Sequence, residues 1–206
     1  SHELRTPLVG ILGYSDMLMK FIEDEELNEM ASGVNRTGKR LLDTISLILD
    51  LSKIESDNYE TNIGEYDSIK MLSEIFDSVK GGALAKSLDY FFSPHIEKYY
   101  INTDPEMFRI IFENILGNAI KFTSEGSVTL STSAENSYMT INVSDTGIGI
   151  DENDIPHVFE EFKQLSEGTT KNFQGSGLGL SITKRLVEIL DGSIKIESEK
   201  GKGTIV

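Results

Sequence analysis

The stretch SHELRTPLVGILGYSDMLMKFI, residues 1–22, sets the architecture. Leu4, Leu8, Ile11, Ser15, Leu18 and Ile22 recur at steps of 4, 3, 4, 3 and 4 residues. This is a heptad seam with one polar member, and it predicts a helix packed along a partner helix. The acidic run Glu23-Asp24-Glu25-Glu26 predicts a turn and a new helix start, where negative charge suits the positive end of the helix dipole. From Leu27 the spacing resumes through Met30, Val34, Thr37, Leu41, Thr44, Ile48 and Leu51, while Leu42, Ile45 and Leu49 add a second apolar stripe. One antiparallel hairpin cannot bury both stripes. Two can, as a four-helix bundle, so the pattern predicts a homodimer. At 1.5 Å per residue, residues 27–55 would span about 43 Å and residues 1–22 about 33 Å, so the first helix is expected to begin before Ser1.

Asp57-Asn58-Tyr59 marks a boundary, giving a helical domain over residues 1–57 and a second domain over 58–206. In the second, Ile69–Ala85 has helical periodicity, and Leu88–Ser93 and Ile96–Ile101 read as short strands. Asp104-Pro105 supplies an N-cap followed by proline at the first helical position, for a helix to about Phe122. Val128–Ser133 and Tyr138–Val143 alternate like strands. Residues 146–178 are polar, glycine-rich and long for a connection, which predicts a functional or mobile loop. Leu178–Leu190 is amphipathic and should stop at Gly192. Ile194–Glu197 and Thr204–Val206 read as the last strands, the final one cut short. The whole is an α+β protein.

Composition narrows the function. The chain has 206 residues, with 19 Lys and Arg against 34 Asp and Glu, a formal charge of −15. Backbone binding to nucleic acid needs a basic surface, so no nucleic-acid partner is expected. The chain has no cysteine, which removes disulfides, thiolate metal sites and cysteine nucleophiles. No apolar run approaches the length of a membrane span and no signal peptide opens the chain, so no membrane contact and a cytoplasmic setting are expected.

Three segments carry chemistry. On the helix from Asp104, Asn114, Asn118 and Lys121 fall at i, i+4 and i+7 and share a face. Two amides and an ammonium in line suit a phosphate chain with its metal, since an amide oxygen is a hard ligand for Mg²⁺ and lysine a point charge on phosphate. Taken alone, the same face suits ordinary solvation. Asp145-Thr146-Gly147-Ile148-Gly149 ends a predicted strand. A carboxylate there can accept a hydrogen bond from an exocyclic amine such as adenine's, and glycines let backbone approach a ligand; a capped turn is the plainer reading. Gly175-Ser176-Gly177-Leu178-Gly179 leads into a helix whose N–H groups form an anion site.

In this order and spacing the three resemble the N, G1 and G2 boxes of the nucleotide-binding fold shared by histidine kinases, gyrase-type topoisomerases, Hsp90-type chaperones and MutL-type mismatch-repair proteins. Phe159-Glu160-Glu161-Phe162-Lys163-Gln164 resembles the F box of the kinases. Where many members carry arginine this chain has Gln164; if that arginine supports the triphosphate, Lys163 or Lys171 must substitute. Ser1-His2-Glu3-Leu4-Arg5-Thr6-Pro7-Leu8 resembles the H box of the histidine-kinase dimerisation domain nearly letter for letter. The resemblance covers the whole chain and implies a helical hairpin followed by an α/β sandwich of the Bergerat type.

It also implies roles. His2 is the phosphoacceptor; it lies off the seam, and a neutral imidazole can attack phosphorus. Glu3 orients the ring or takes its proton, Thr6 positions a water for dephosphorylating a partner receiver domain, and Pro7 bends the helix. ATP binds with Mg²⁺: Asn118 is the metal ligand with Asn114 assisting, Lys121 and Phe122 flank the nucleotide, and Asp145 holds adenine beside Gly147 and Gly149. Gly175, Gly177, Leu178 and Gly179 wrap the phosphates. The implied partner is a response-regulator receiver domain. Two other classes stay open: an ATPase of the same fold that does not label itself, and a nucleotide-binding scaffold without phosphotransfer.

Overall fold

The structure, a computed structural model, describes residues 2–54, 62–135, 138–161, 163 and 177–206. Helix α1 (His2–Phe21) carries Pro7 within it and turns at residues 22–24 into α2 (Glu25–Ile54). The turn closes itself. Asp24 Oδ1 accepts the Leu27 N–H at 3.0 Å, and Asn28 Nδ2 donates to the Met19 and Ile22 carbonyls at 2.9 and 3.2 Å. One orphaned N–H of α2 and two carbonyls at the end of α1 are thereby satisfied.

The two helices bury Leu8, Ser15, Ala31 and Asn35 between them. Ser15, the polar member of the seam, meets a polar partner: its Oγ accepts from Asn35 Nδ2 at 2.9 Å, and Asn35 also reaches Asp16 Oδ1 at 2.8 Å. A satisfied polar pair at a seam fixes helix register. Several other seam positions stay about half exposed in the single hairpin. Ile11 and Leu18 are 48% and 50% exposed, and Val34 and Leu41 both 51%. The expected boundary at Asp57-Asn58-Tyr59 lies outside the described residues.

The second unit is two-layered. Strands β1 (Gly64–Asp67) and β3 (Tyr100–Thr103) pair antiparallel as a small ribbon. Between them run α3 (Ser68–Ala85) and β2 (Asp89–Pro94). Then come α4 (Pro105–Phe122), β4 (Ser127–Glu135), β5 (Tyr138–Asp145), a 3-10 turn at Ile155–His157, α5 (Gly179–Ile189), β6 (Glu197–Glu199) and β7 (Gly203–Ile205). The main sheet has the order β2-β4-β5-β7-β6, with only β2 and β4 parallel. Val128, Leu130 and Val143 point from the sheet into a core shared with Leu72 and Phe76 of α3, Met107, Ile111 and Leu116 of α4, and Ile182 and Leu186 of α5. The sheet thus has one apolar face, covered by helices.

Several expected bounds move. β1 was not foreseen, having a single large apolar residue, Tyr66, among its four. The strand expected at Ile96–Ile101 is found at Tyr100–Thr103, because only four residues find a partner in β1. The strand expected at Ile194–Glu197 begins at Glu197. The tight 200–202 turn, with Gly201 at φ 81°, dictates pairing of Glu199 with Gly203, and Ile194 packs on the core instead. Val206 continues β7's pairing by exchanging two 2.9 Å bonds with Val143. Helix α5 stops one residue earlier than expected: Asp191, not Gly192, takes the left-handed conformation (φ 55°), and the Gly192 N–H closes onto the Val187 carbonyl at 2.8 Å.

Candidate functional site

Helix α4 organises the site. Asp104 starts it, its Oδ1 accepting from the Glu106 and Met107 N–H groups at 2.9 and 3.1 Å and its Oδ2 from the Asn62 N–H at 2.9 Å. Eight residues of α4 bury into the core, among them Phe108, Phe112, Ile115 and Ile120. Their burial turns Asn114, Asn118 and Lys121 onto the remaining face, where each is half-buried. The far end is capped by a lysine from elsewhere in the chain. Lys86 Nζ donates to the carbonyls of Ile120, Lys121 and Thr123 at 2.7, 2.8 and 3.0 Å, a cation on the negative end of the helix. The Lys121 ammonium lies 4.9 Å from the Phe122 ring centroid.

Asp145 ends β5 beside this helix terminus. Its carboxylate accepts from the Gly147 N–H at 2.8 Å and from the Thr204 N–H, yet burial dominates and pushes its pKa above the ordinary aspartate value. Two bonds leave acceptor capacity on an ionised carboxylate. Gly147 allows a close approach: a Cβ there would stand 2.5 Å from the Phe122 carbonyl, which also accepts the Ile148 N–H at 3.3 Å. On the other side Gly149 (φ 63°) lies against the Glu199 backbone so closely that a Cβ would overlap its carbonyl. Gly201 donates to the Ile148 carbonyl at 2.7 Å, and Ile150 to Ser198 Oγ at 2.8 Å. The 147–150 segment is therefore clamped between the end of α4 and the β6–β7 hairpin. Its glycines are required by close approach on one side and by the left-handed backbone on the other.

The third segment reaches the same helix. Gly177 has φ 73°, buried Leu178 precedes α5 with no side-chain cap, and Gly179 opens α5 against the Asn114 amide. Asn114 Nδ2 donates to Thr183 Oγ1 at 2.6 Å. The start of α5, as a helix N-terminus, is suited to an anion.

The structure thus brings Asp145, Gly147 and Phe122 together at one end of α4's polar face, and Gly179 and Asn114 together further along it, with Asn118 between. Gly175, Phe162, Gln164 and Lys171 lie outside the described residues. Lys163 is engaged by Glu160 at 3.1 Å, and Glu160 also holds His157, which with Lys163 draws its carboxyl below the usual range. Phe159 is half-buried with the Lys184 ammonium 5.5 Å from its ring centroid. His2 and Glu3 begin α1, their side chains outside the described set, and Thr6 is exposed on the same helix. Sequence reading missed Thr183, Lys86, Ser198 and Thr204. Only Thr183 left a trace, a polar residue inside the apolar stripe of Leu178, Ile182 and Leu186. Among the described residues no helix is long and apolar enough to cross a membrane.

Comparison with known proteins gives the family. Residues 103–206 match the family described as histidine kinase-, DNA gyrase B-, and HSP90-like ATPase, and residues 1–57 match the His Kinase A (phospho-acceptor) domain. The sensor histidine kinase RcsC of Escherichia coli K12 is 36% identical over 206 residues, 99% of this chain and 22% of that protein. The autoinducer 2 sensor kinase/phosphatase LuxQ of Vibrio parahaemolyticus is 36% identical over 216 aligned residues, covering 99% of this chain and 25% of that protein. The chain therefore spans about a quarter of these relatives or less. Full-length ShkA, crystallised with AMPPNP, superimposes with a TM-score of 0.74 at 28% identity over 99% of this chain and 42% of that one.

Proposed function

The chain belongs to the histidine kinase-, DNA gyrase B- and HSP90-like ATPases and carries a His Kinase A phospho-acceptor domain ahead of that module, and from this premise we propose that ATP phosphorylates His2 and that His2 then passes the phosphoryl group to an aspartate on a response-regulator receiver domain. The reading divides the chain into a dimerisation and phosphotransfer domain (1–57) and an ATP-binding domain (58–206). The observation that carries it is the convergence of Asp145 with Gly147, Asn118 with Lys121, and Gly179 along one face of α4.

In this reading Asp145 accepts the adenine amine, on a segment that Gly147 and Gly149 let pack against the end of α4 and the Glu199 backbone. Lys121 and Phe122 flank the nucleotide. Gly175, Gly177, Leu178 and Gly179 surround the phosphates with backbone donors. The Asn118 amide oxygen, half-exposed on the polar face, is a hard donor of the kind Mg²⁺ takes, with Asn114 beside it; the ion would offset charge on the phosphates. A His2 ring nitrogen attacks the γ-phosphorus in line: the N–P bond forms while the bond to the β–γ bridging oxygen breaks, and ADP departs. Glu3 orients the ring or accepts its proton. Thr6, one turn on, holds the water for removing phosphate from the receiver domain, a phosphatase activity that LuxQ's designation supports. The working form is a homodimer, and the setting is cytoplasmic, whether free or as part of a membrane-bound sensor.

Incubation with γ-labelled ATP tests this. The chain should acquire acid-labile, base-stable phosphate; His2→Ala should acquire none while binding ATP normally, and Asp145→Ala should lose binding. Labelled His2→Ala protein would overturn the assignment.

A further inference from the structure

Thr183 is a polar residue fully shielded from solvent on the apolar face of α5, flanked by Ile182 and Leu186. A threonine there is out of place unless its hydroxyl has a partner. The partner is Asn114 of α4, 69 residues away in sequence, whose Nδ2 donates to Thr183 Oγ1 at 2.6 Å. Gly179 stands four residues before Thr183 and therefore on the same face. The place its Cβ would occupy is taken by the Asn114 side chain. The Asn114 amide is thus seated in a notch on α5, with an absent side chain on one flank and a hydroxyl on the other. Asn118 and Lys121 follow Asn114 at i+4 and i+7.

We infer that Thr183 is a positioning residue of the nucleotide site: by holding the Asn114 amide, it sets the glycine segment that opens α5 in register with the metal- and phosphate-facing side of α4. The inference rests on the nucleotide reading above and deepens it. Asn114 acts mainly through α5, and Asn118 carries the metal. Valine at 183 keeps the shape and removes the acceptor, leaving the Asn114 Nδ2 group without its partner. The amide then turns, and the start of α5 loses its register.

The experiment titrates the unaltered chain, Thr183→Val and Thr183→Ser with ADP, with and without Mg²⁺, and records melting without nucleotide. Thr183→Val should bind Mg-ADP about tenfold more weakly, equivalent to about 1.4 kcal/mol. Thr183→Ser, which restores the hydroxyl, should recover affinity to within about twofold of the unaltered chain. A Thr183→Val protein that melts earlier but binds as before would overturn the inference, as would failure of serine to rescue a folded protein. If Thr183→Val does not fold, Thr183→Ala, which removes the acceptor without adding bulk, carries the same expectation and the same refutation. Failure of the unaltered chain to bind Mg-ADP would overturn the nucleotide reading itself; normal binding by that chain and by the valine variant together would overturn this inference alone.

Discussion

Asp145 accepts two backbone N–H bonds, each of which favours its charged form, and still has a raised pKa, because loss of solvent outweighs both. The sign has two consequences. The ionised carboxylate is the form that accepts an amine, so ADP affinity should begin to fall on acidification at a higher pH than an exposed aspartate, near 3.8, would dictate. Titrating ADP affinity downward from neutral pH checks this, and a flat profile through the mildly acidic range would refute it. Without nucleotide the folded state binds the proton more tightly than the unfolded one. Stability therefore declines as pH rises through the window between the unfolded and the raised folded value. Asp145→Asn should remove that slope in thermal melts while losing nucleotide binding.

At the scale of elements, the site is an arrangement of ends: the C-terminus of α4, the end of β5 and the start of α5. Gly147 is where two of them touch. A Cβ 2.5 Å from the Phe122 carbonyl meets backbone rather than a movable side chain, and the Ile148 N–H holds that carbonyl in place. Gly147→Ala should cost about 1–3 kcal/mol by overpacking, read as a lower urea midpoint, and weaken ADP binding at the same time. These ends differ in how far sequence revealed them. Asp104-Pro105 with a long periodic run announced α4 within a residue, because cap and period are local. β1 and the shift of β3 did not show, because their bounds come from each other's pairing. The carboxylate and glycines at 145–149 stood out in the sequence as a candidate. The reasons for the glycines, a helix terminus on one side and a hairpin on the other, were not, since both are contacts across distant sequence. Thr183 and Lys86 escaped on the same ground: each acts on a backbone or amide at least 34 residues away.

For the whole molecule, the hairpin leaves a continuous apolar strip uncovered. Tyr14, Met17, Leu18 and Phe21 of α1 are between 50% and 77% exposed, and Met30 of α2 is 64% exposed. A strip of this kind marks an association surface. The proposed dimer would cover it by bundling two hairpins, with Ile11 and Leu18 in the shared seam. Leu18→Glu should shift sedimentation from two chains to one and make melting insensitive to protein concentration, whereas the unaltered chain melts higher as concentration rises. An unaltered chain that sediments as a monomer at all concentrations would refute the bundle.

One carboxylate joins the levels. Asp104 binds the Asn62 N–H with one oxygen and begins α4 with the other. The backbone at residue 62 is therefore tied to the near end of an 18-residue helix, about 27 Å long, whose far end bears Lys121 and Phe122. Losing that one side chain would therefore undo two things at once, the tie to residue 62 and the cap of the helix.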